Sequence, residues 1–444
     1  MLSSVGETGA AAIWHRVKAR LGRVAVVEAG RRLLPTGTIS IFGLHAASLI
    51  LLMLGSIPVA RFLGPAQKGV VNLFTLLTGL ITEFGLFGLN SGLLFQLGNR
   101  RIPLARVHTA ALQACLVLGG LTLVVVIGLR PLLSRAFEGL PPGFLLVAAA
   151  MTPLLLYRGM WSSLMTGVER VVQVYRVNLV FSGASVAGLI LLYGAGYLTA
   201  TTVIWLSILL VAGYCLYGFA ALGAVHQFRF EPGSASLKEA LRYGAVVYVG
   251  VVFNFLHSRG DQILVNYFQG SRGLGIYTVS VASAEMLWLL DYAMMHTSVL
   301  RISSLEPAAS WRYTCSVFRT TVLLLAGAAV ALGAAAPVVV EGLYGAQFRE
   351  AVLPLILLLP GIVAWGAGRI LSQFISYNAG RPSLTSGAAA MGCAVNLLAN
   401  LYAMPRWGLA GAAAASSVSY LATMAFVAIT FARLGRRLGG PKWV

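Results

Sequence analysis

The sequence predicts an all-α integral membrane protein of twelve transmembrane helices in two six-helix lobes, and three observations lead there. Of the 444 residues, 58% are hydrophobic and only 10% are charged, with a mean hydropathy of +0.84, whereas soluble domains carry about 25% charged residues. Twelve stretches reach the roughly 17–25 apolar residues that a helix needs to cross the hydrocarbon core. The chain also repeats a turn motif at an offset of 206 residues (64 to 270), the length of a six-helix half.

The first 37 residues hold no apolar core ahead of a small-residue cleavage site, so a signal peptide is not expected. Ile13, Trp14, Val17, Leu21, Val24 and Val27 recur at helical spacing between Arg16, Lys18, Arg20 and Arg23, which predicts an amphipathic helix on the membrane surface over 1–37. The spans follow at 38–60, 70–97, 107–129, 143–166, 177–194 and 200–222, then 244–268, 275–296, 320–340, 352–377, 383–403 and 408–431. This divides the chain into an N-lobe over 38–230, a C-lobe over 231–432 and a basic tail over 433–444.

Basic residues set the orientation. With both termini in the cytoplasm, only Arg61, Lys68, Arg130, Arg135, Arg272, Arg349 and Arg406 fall in outer connections. Three arginines lie within spans, and the remainder of the 32 lysines and arginines face the cytoplasm. That bias accounts for most of the +19 net charge, so a nucleic-acid partner is not needed. Four separated cysteines and six scattered histidines show no ligand spacing, which argues against a metal centre and a disulfide framework. The longest connections, about 223–243 and 297–319, leave no room for a soluble catalytic domain; a polymerase or ligase would need a sizeable outer loop with polar residues, so no catalytic residue is assigned.

The repeat sits where the second lobe should begin. Phe62-Leu63-Gly64 is followed by Gly69 after span 1, and Phe268-Gln269-Gly270 by Gly275 after span 7. Internal repeats with a substrate site between them are typical of secondary transporters.

Polar residues inside the spans are the candidate site. Arg158, about 15 residues into span 4, and Arg369, about 17 into span 10, fall at related depths in equivalent helices at 1.5 Å per residue. A guanidinium keeps its charge, is costly in hydrocarbon and suits a bidentate phosphate. Both are expected to flank a central cavity, the alternative being stems that snorkel to the interface. Arg259, a further candidate substrate contact, and Asp261, a coupling-ion candidate, are two apart and should point to different neighbours, with Glu285 and Asp291 of span 8 as partners for Arg259 or as coupling-ion sites. Glu83 and Asn90, seven apart in span 2, should share a face, Glu83 as a further coupling-ion candidate and Asn90 as a substrate contact. Asn396 and Asn400 read as interhelical hydrogen-bonding residues. Pro153, Pro337 and Pro360-Gly361 interrupt spans 4, 9 and 10 and are candidate hinges.

Ala60-Arg61-Phe62-Leu63-Gly64-Pro65 through Gly69, with Phe84-Gly85-Leu86-Phe87-Gly88-Leu89-Asn90-Ser91-Gly92, resembles the opening of polysaccharide-biosynthesis flippases. These are the O-antigen and exopolysaccharide-repeat translocases of the multidrug/oligosaccharidyl-lipid/polysaccharide exporter superfamily. Asp261-Gln262-Ile263-Leu264-Val265 with Phe268, Gly270, Gly275 and Tyr277 is similar to the seventh and eighth helices of that family. Leu343-Tyr344-Gly345, Phe348 and Leu359-Pro360-Gly361 resemble its ninth-to-tenth passage, and Asn396, Pro405, Gly408, Gly411 and Ala412-Ala413 its last pair. The resemblance covers about residues 38–432.

It implies a V-shaped, alternating-access bundle in a bacterial inner membrane, with a cationic cavity for an undecaprenyl-pyrophosphate-linked oligosaccharide moved from the cytoplasmic to the periplasmic leaflet. Relatives that flip lipid II carry two more spans, so twelve point to the polysaccharide branch. No cofactor is expected beyond Na⁺ or H⁺ coupling. Partners besides the lipid bilayer would be a polysaccharide polymerase and glycosyltransferases. Two alternatives stand beside this reading: a multidrug or organic-cation antiporter of the same fold, and a non-catalytic component of a polysaccharide synthase complex.

Overall fold

The computed structural model describes residues 37–98, 103–225 and 234–437, and the amphipathic N-terminal segment and most of the basic tail lie outside them. Those residues form helices α1 (Gly37–Gly85), α2 (Leu89–Gly98), α3 (Leu104–Gly128), α4 (Arg130–Ala136), α5 (Phe144–Ala150), α6 (Thr152–Gly167), α7 (Val171–Gly194) and α8 (Ala200–Val225) in the first half. The second half has α9 (Ser234–Glu285), α10 (Trp288–Ser304), α11 (Pro307–Tyr344), α12 (Val352–Gln373) and α13 (Pro382–Arg437), with a 3-10 turn at Ala346–Ala351 and a π-helical turn at Phe374–Asn378. No strand occurs among the described residues. An all-α bundle is what hydrocarbon demands of an open chain, because each helix satisfies its own backbone.

Among the described residues seven helices are long and apolar enough to cross a membrane, or nine if each bent pair is one span. The chain is a multi-pass membrane protein. Three helices, of 49, 52 and 56 residues, are long enough for two spans, and each is broken by one glycine where the sequence places a turn between spans: Gly64 (φ 78°) in α1, Gly270 (φ 66°) in α9 and Gly408 (φ 55°) in α13. Glycine tolerates these positive φ values because it has no Cβ.

The first two breaks are the repeat made visible. Around them α1 and α9 cross with near two-fold symmetry. A Cβ on Gly69 would collide with Ser271 O and one on Gly275 with Pro65 O, and Pro65 and Ser271 are themselves offset equivalents. Asn72 Nδ2 donates to Thr278 Oγ1, again residues 206 apart. One apolar core spans this crossing, with Leu73, Phe74 and Leu77 of α1 meeting Leu274, Ile276, Tyr277, Tyr344 and Phe348. Further cores lie around Trp161, mostly in the first half but reaching Ala240 of α9, and around Trp311 and Phe431 in the second.

Two predicted spans are not continuous helices. Span 2 stops at Gly85 and resumes at Leu89, because Phe87 (φ 46°) and Gly88 (φ 71°) take left-handed backbone. Span 8, its equivalent, breaks between Glu285 and Trp288 with a bend of 41°. Span 4 bends by 45° between α5 and α6, where Pro153 occupies the first turn of α6, a position that needs no amide hydrogen.

Candidate functional site

The two halves meet along the α1–α9 seam, and the seam is closed at both ends. At the predicted outer end the Gly69–Gly275 crossing is flanked by Arg61, whose Nη1 donates to Gly342 O at 2.8 Å, and by Gln347, whose Nε2 donates to Arg61 O at 2.9 Å. At the predicted cytoplasmic end Gly88 packs backbone-to-backbone on Gly244, and Gly92 on Ala240. Tyr248 Oη adds a bond to Phe84 O at 2.9 Å. Nothing larger than hydrogen fits at Gly88 or Gly244, so these glycines set how closely the halves approach.

The three intramembrane arginines occupy three different environments. Arg259 is locked: its Nη1 and Nη2 hold Glu285 Oε1 and Oε2 at 2.9 and 3.0 Å, a fork-to-fork pair with both side chains largely shielded. Arg369 Nη1 approaches Asp291 Oδ2 at 2.9 Å, and Asp291 is completely buried. Gly366 packs beside Asp291 and against Leu325, whose Cδ1 would stand 2.8 Å from an added Cβ. The two carboxylates bracket the span 8 break: Glu285 is the last residue of α9 and Asp291 lies in the first turn of α10. Each carboxylate has an arginine within ion-pair distance, but while Glu285 is hydrogen-bonded by Arg259, neither buried oxygen of Asp291 has a hydrogen-bond partner.

Arg158 is exposed, and its guanidinium carbon lies 5.1 Å over the ring of Tyr214 on α8. It is not among the residues lining the cavity that holds Arg369.

Around Arg369 the structure assembles a group that sequence spacing could not show. The ring of Tyr292 is met from three directions: Arg369 at 5.0 Å, His45 of α1 at 5.0 Å and His296 one turn along α10 at 5.4 Å. Tyr175 of α7 packs edge-on to His45 at 5.3 Å. The group joins both halves in the predicted cytoplasmic half of the membrane. His45 Nε2 is buried there with no hydrogen-bond partner, an arrangement that usually costs about 1–3 kcal/mol.

Asp261 stands apart from Arg259, as two-residue spacing on a helix requires. It is buried at the centre of a network in which Tyr277 Oη and Ser416 Oγ donate to its Oδ2 at 2.5 and 2.8 Å. Asn396 Nδ2 donates to Ser416 and Ser419 at 3.2 Å each, Asn400 Nδ2 to Asn396 Oδ1 at 3.1 Å, and His257 Nε2 meets Ser419 Oγ at 3.1 Å. Asp261 Oδ1 and Asn400 Oδ1 remain buried without a partner. Two buried oxygens left open, one of them a carboxylate oxygen, distinguish this cluster from a purely interhelical network.

Glu83 and Asn90 do not share a face. The Phe87–Gly88 turn interrupts the helix between them, and Asn90 Oδ1 accepts the backbone amide of Ser91 at 2.9 Å as α2 begins. Pro337 and Pro360 lie inside α11 and α12 without non-helical backbone, so neither interrupts its span. At Pro360-Gly361 a hydroxyl from α13 stitches the ladder. Gly361 N donates to Ser417 Oγ at 3.2 Å, and Ser417 Oγ donates on to Leu357 O, which bridges the i to i−4 gap. Of the cysteines, Cys115 and Cys215 are buried as expected and all four are free. No His, Cys, Asp and Glu group able to hold a metal occurs among the described residues.

A family model described as polysaccharide biosynthesis protein matches residues 59–353, well over half of the chain. The chain belongs to the polysaccharide biosynthesis protein family. Among solved structures, this family member is similar to a lipid II flippase MurJ in an inward closed conformation. The TM-score is 0.70 at 12% identity, covering 88% of each chain. It is also similar to an inward-facing multidrug resistance MATE family transporter of the MOP superfamily, with a TM-score of 0.64 at 13% identity over 91% of this chain and 97% of that one. A third is a MOP superfamily transporter from Pyrococcus furiosus, reported with a binding pocket of reverse polarity (TM-score 0.62, 13% identity, 90% and 95% covered). No curated protein matches the sequence. The family match establishes membership and the structural likenesses establish the fold.

Proposed function

We propose that this protein flips an oligosaccharide carried on undecaprenyl pyrophosphate across a bacterial inner membrane, cytoplasmic to periplasmic leaflet, by alternating opening of the seam. The observation that carries this reading is the convergence of Arg369, His45 and His296 on Tyr292 between the halves. A guanidinium beside two imidazoles within the bundle offers hydrogen-bond donors to a diphosphate, and Arg369 makes only one contact with its carboxylate, leaving most of its fork free for phosphate oxygens. Membership of a polysaccharide biosynthesis family and likeness to a lipid II flippase support the lipid-linked sugar as cargo. The basic bias of the connections supports cytoplasmic termini.

A coupling cation, Na⁺ or H⁺, would find a buried carboxylate oxygen without a partner at Asp261, with Asn400 Oδ1 likewise open in the same network. Glycosyltransferases would supply the substrate and a polymerase consume it. The organic-cation antiporter is less well supported, because Glu285 and Asp291 are already paired with arginines.

The test is flipping of a lipid-linked oligosaccharide in proteoliposomes. Arg369→Ala should slow it by roughly tenfold or more, the effect of removing one charge-assisted hydrogen bond, and Arg369→Lys should recover part. Full activity in Arg369→Ala protein would remove this arginine from the phosphate site.

A further inference from the structure

Beside Arg369 the second half encloses a cavity of about 450 Å³, built by α9, α10, α12 and α13, within the roughly 300–1,000 Å³ typical of small-molecule sites. We propose that this cavity is the sugar subsite: it holds the hexose next to the phosphate of the substrate, with Arg369 at the junction between sugar and phosphate. The proposal rests on the transport reading above for the identity of the substrate, and adds where its glycan sits.

The chemistry of the wall selects a neutral polyol attached to an anion. Arg369 is the charged group in the lining, and no carboxylate lines the cavity. An organic cation would therefore find no counter-ion there. A lipid tail would meet too many polar atoms: Asn254, Ser376, Tyr377 and Thr385 all face it, beside the Trp365 ring. Asn254 and Tyr377 are exposed to this space although they belong to membrane-spanning segments, and neither makes a side-chain hydrogen bond among the described residues. They supply free donors and an acceptor. Thr385 Oγ1 donates to Pro382 O at 2.7 Å and stands 3.1 Å from Ser376 Oγ. Ser376 therefore serves as the donor in that pair, and its lone pairs are left for the cavity. Hydroxyls that have spent their protons internally are acceptors for the many O–H donors of a sugar.

The backbone is built to present them. The chain after α12 takes one π-helical turn, closed by Ala379 N on Phe374 O at 2.9 Å. Single π turns re-aim side chains and concentrate at functional sites. Here Asn378 anchors the turn by donating to Ile302 O and Leu305 O at 2.9 Å each. Ser376 and Tyr377 of the same turn line the cavity instead.

The experiment is calorimetric titration of the full-length protein in detergent with inorganic phosphate and with a panel of hexose 1-phosphates: glucose, galactose, mannose and N-acetylglucosamine. At least one hexose 1-phosphate should bind ten or more times tighter than inorganic phosphate. Asn254→Ala and Tyr377→Phe, checked for folding by thermal shift, should cut that ratio to below threefold while leaving phosphate affinity unchanged; Arg369→Gln should weaken both ligands. A ratio near one for every sugar in the wild type overturns the proposal, as does a ratio unchanged in both cavity variants. Flipping assayed on the same preparations separates the two readings. Wild-type protein that shows the sugar increment and its loss in the variants, yet moves no lipid-linked oligosaccharide, upholds the subsite and refutes the transport reading.

Discussion

Adding one methyl group at Gly275 tests whether the α1–α9 crossing is the joint on which the halves separate. In the closed seam that Cβ would overlap Pro65 O and crowd Gly69 N, both backbone atoms that no rotamer change can remove. Relief requires the helices to part by on the order of 1.5 Å, and a gap of about 0.5–1 Å already forfeits a quarter to a half of the dispersion attraction between facing atoms. Overpacking of this kind costs about 1–3 kcal/mol, which shifts a two-state equilibrium by roughly 5–150-fold. Because the crossing is symmetric, Gly69→Ala should have the same effect, its Cβ meeting Ser271 O. The double variant should cost little more than either single one, since one parting relieves both clashes and neighbouring substitutions are not additive. Spin labels on exposed Ser134 and Arg406, in protein lacking its four cysteines, would report the outer separation. Both variants should populate a longer distance. Unchanged distances in both, or an effect in one alone, would refute the symmetric joint.

Glu285→Gln should lower the unfolding free energy by about 2–3 kcal/mol, less than the 3–5 of a fully buried pair because Arg259 keeps 33% of its side chain exposed. The pair variant Arg259→Gln with Glu285→Gln should recover most of the thermal stability, and a double variant as unstable as the single would show that the pair is not what matters. Ser417→Ala leaves Gly361 N and Leu357 O unbridged and should cost about 1–3 kcal/mol. Ser417→Thr retains the hydroxyl; if both variants melt together, the stitch is not the cause.

Local features were the most legible part of the sequence. The 206-residue repeat placed Gly64 and Gly270 at turns, because positive φ demands glycine and the demand recurs in each half. The Arg259–Glu285 pair was also legible, since few carboxylates share the membrane with a guanidinium. Side-chain direction over long distances was not. The Glu83–Asn90 face assumed a continuous helix that Phe87 and Gly88 end. The histidines looked scattered because His45 and His296 come from different halves and meet only on Tyr292, a residue with no sequence signal of its own. The π turn at Phe374–Asn378 was invisible for a related reason: its extra residue is stabilised by Asn378 reaching the end of α10, a tertiary contact.

The two ion pairs at the span 8 break explain why one arginine is available to a ligand and the other is not. Arg259 and Glu285 match fork to fork within α9, so an incoming phosphate would have to replace two good bonds and leave a carboxylate shielded and uncompensated. Arg369 and Asp291 come from different helices and share one close contact, while the guanidinium faces a cavity and stacks on Tyr292. A diphosphate can add to the free edge of that guanidinium without first breaking the pair. Asp291 then serves to hold the cation in place when the site is empty, offsetting the cost of a lone charge in the membrane. On this argument Asp291→Asn should tighten binding of inorganic diphosphate to purified protein by several-fold while lowering its thermal stability. A variant that loses both affinity and stability would show instead that Asp291 orients Arg369 for its ligand.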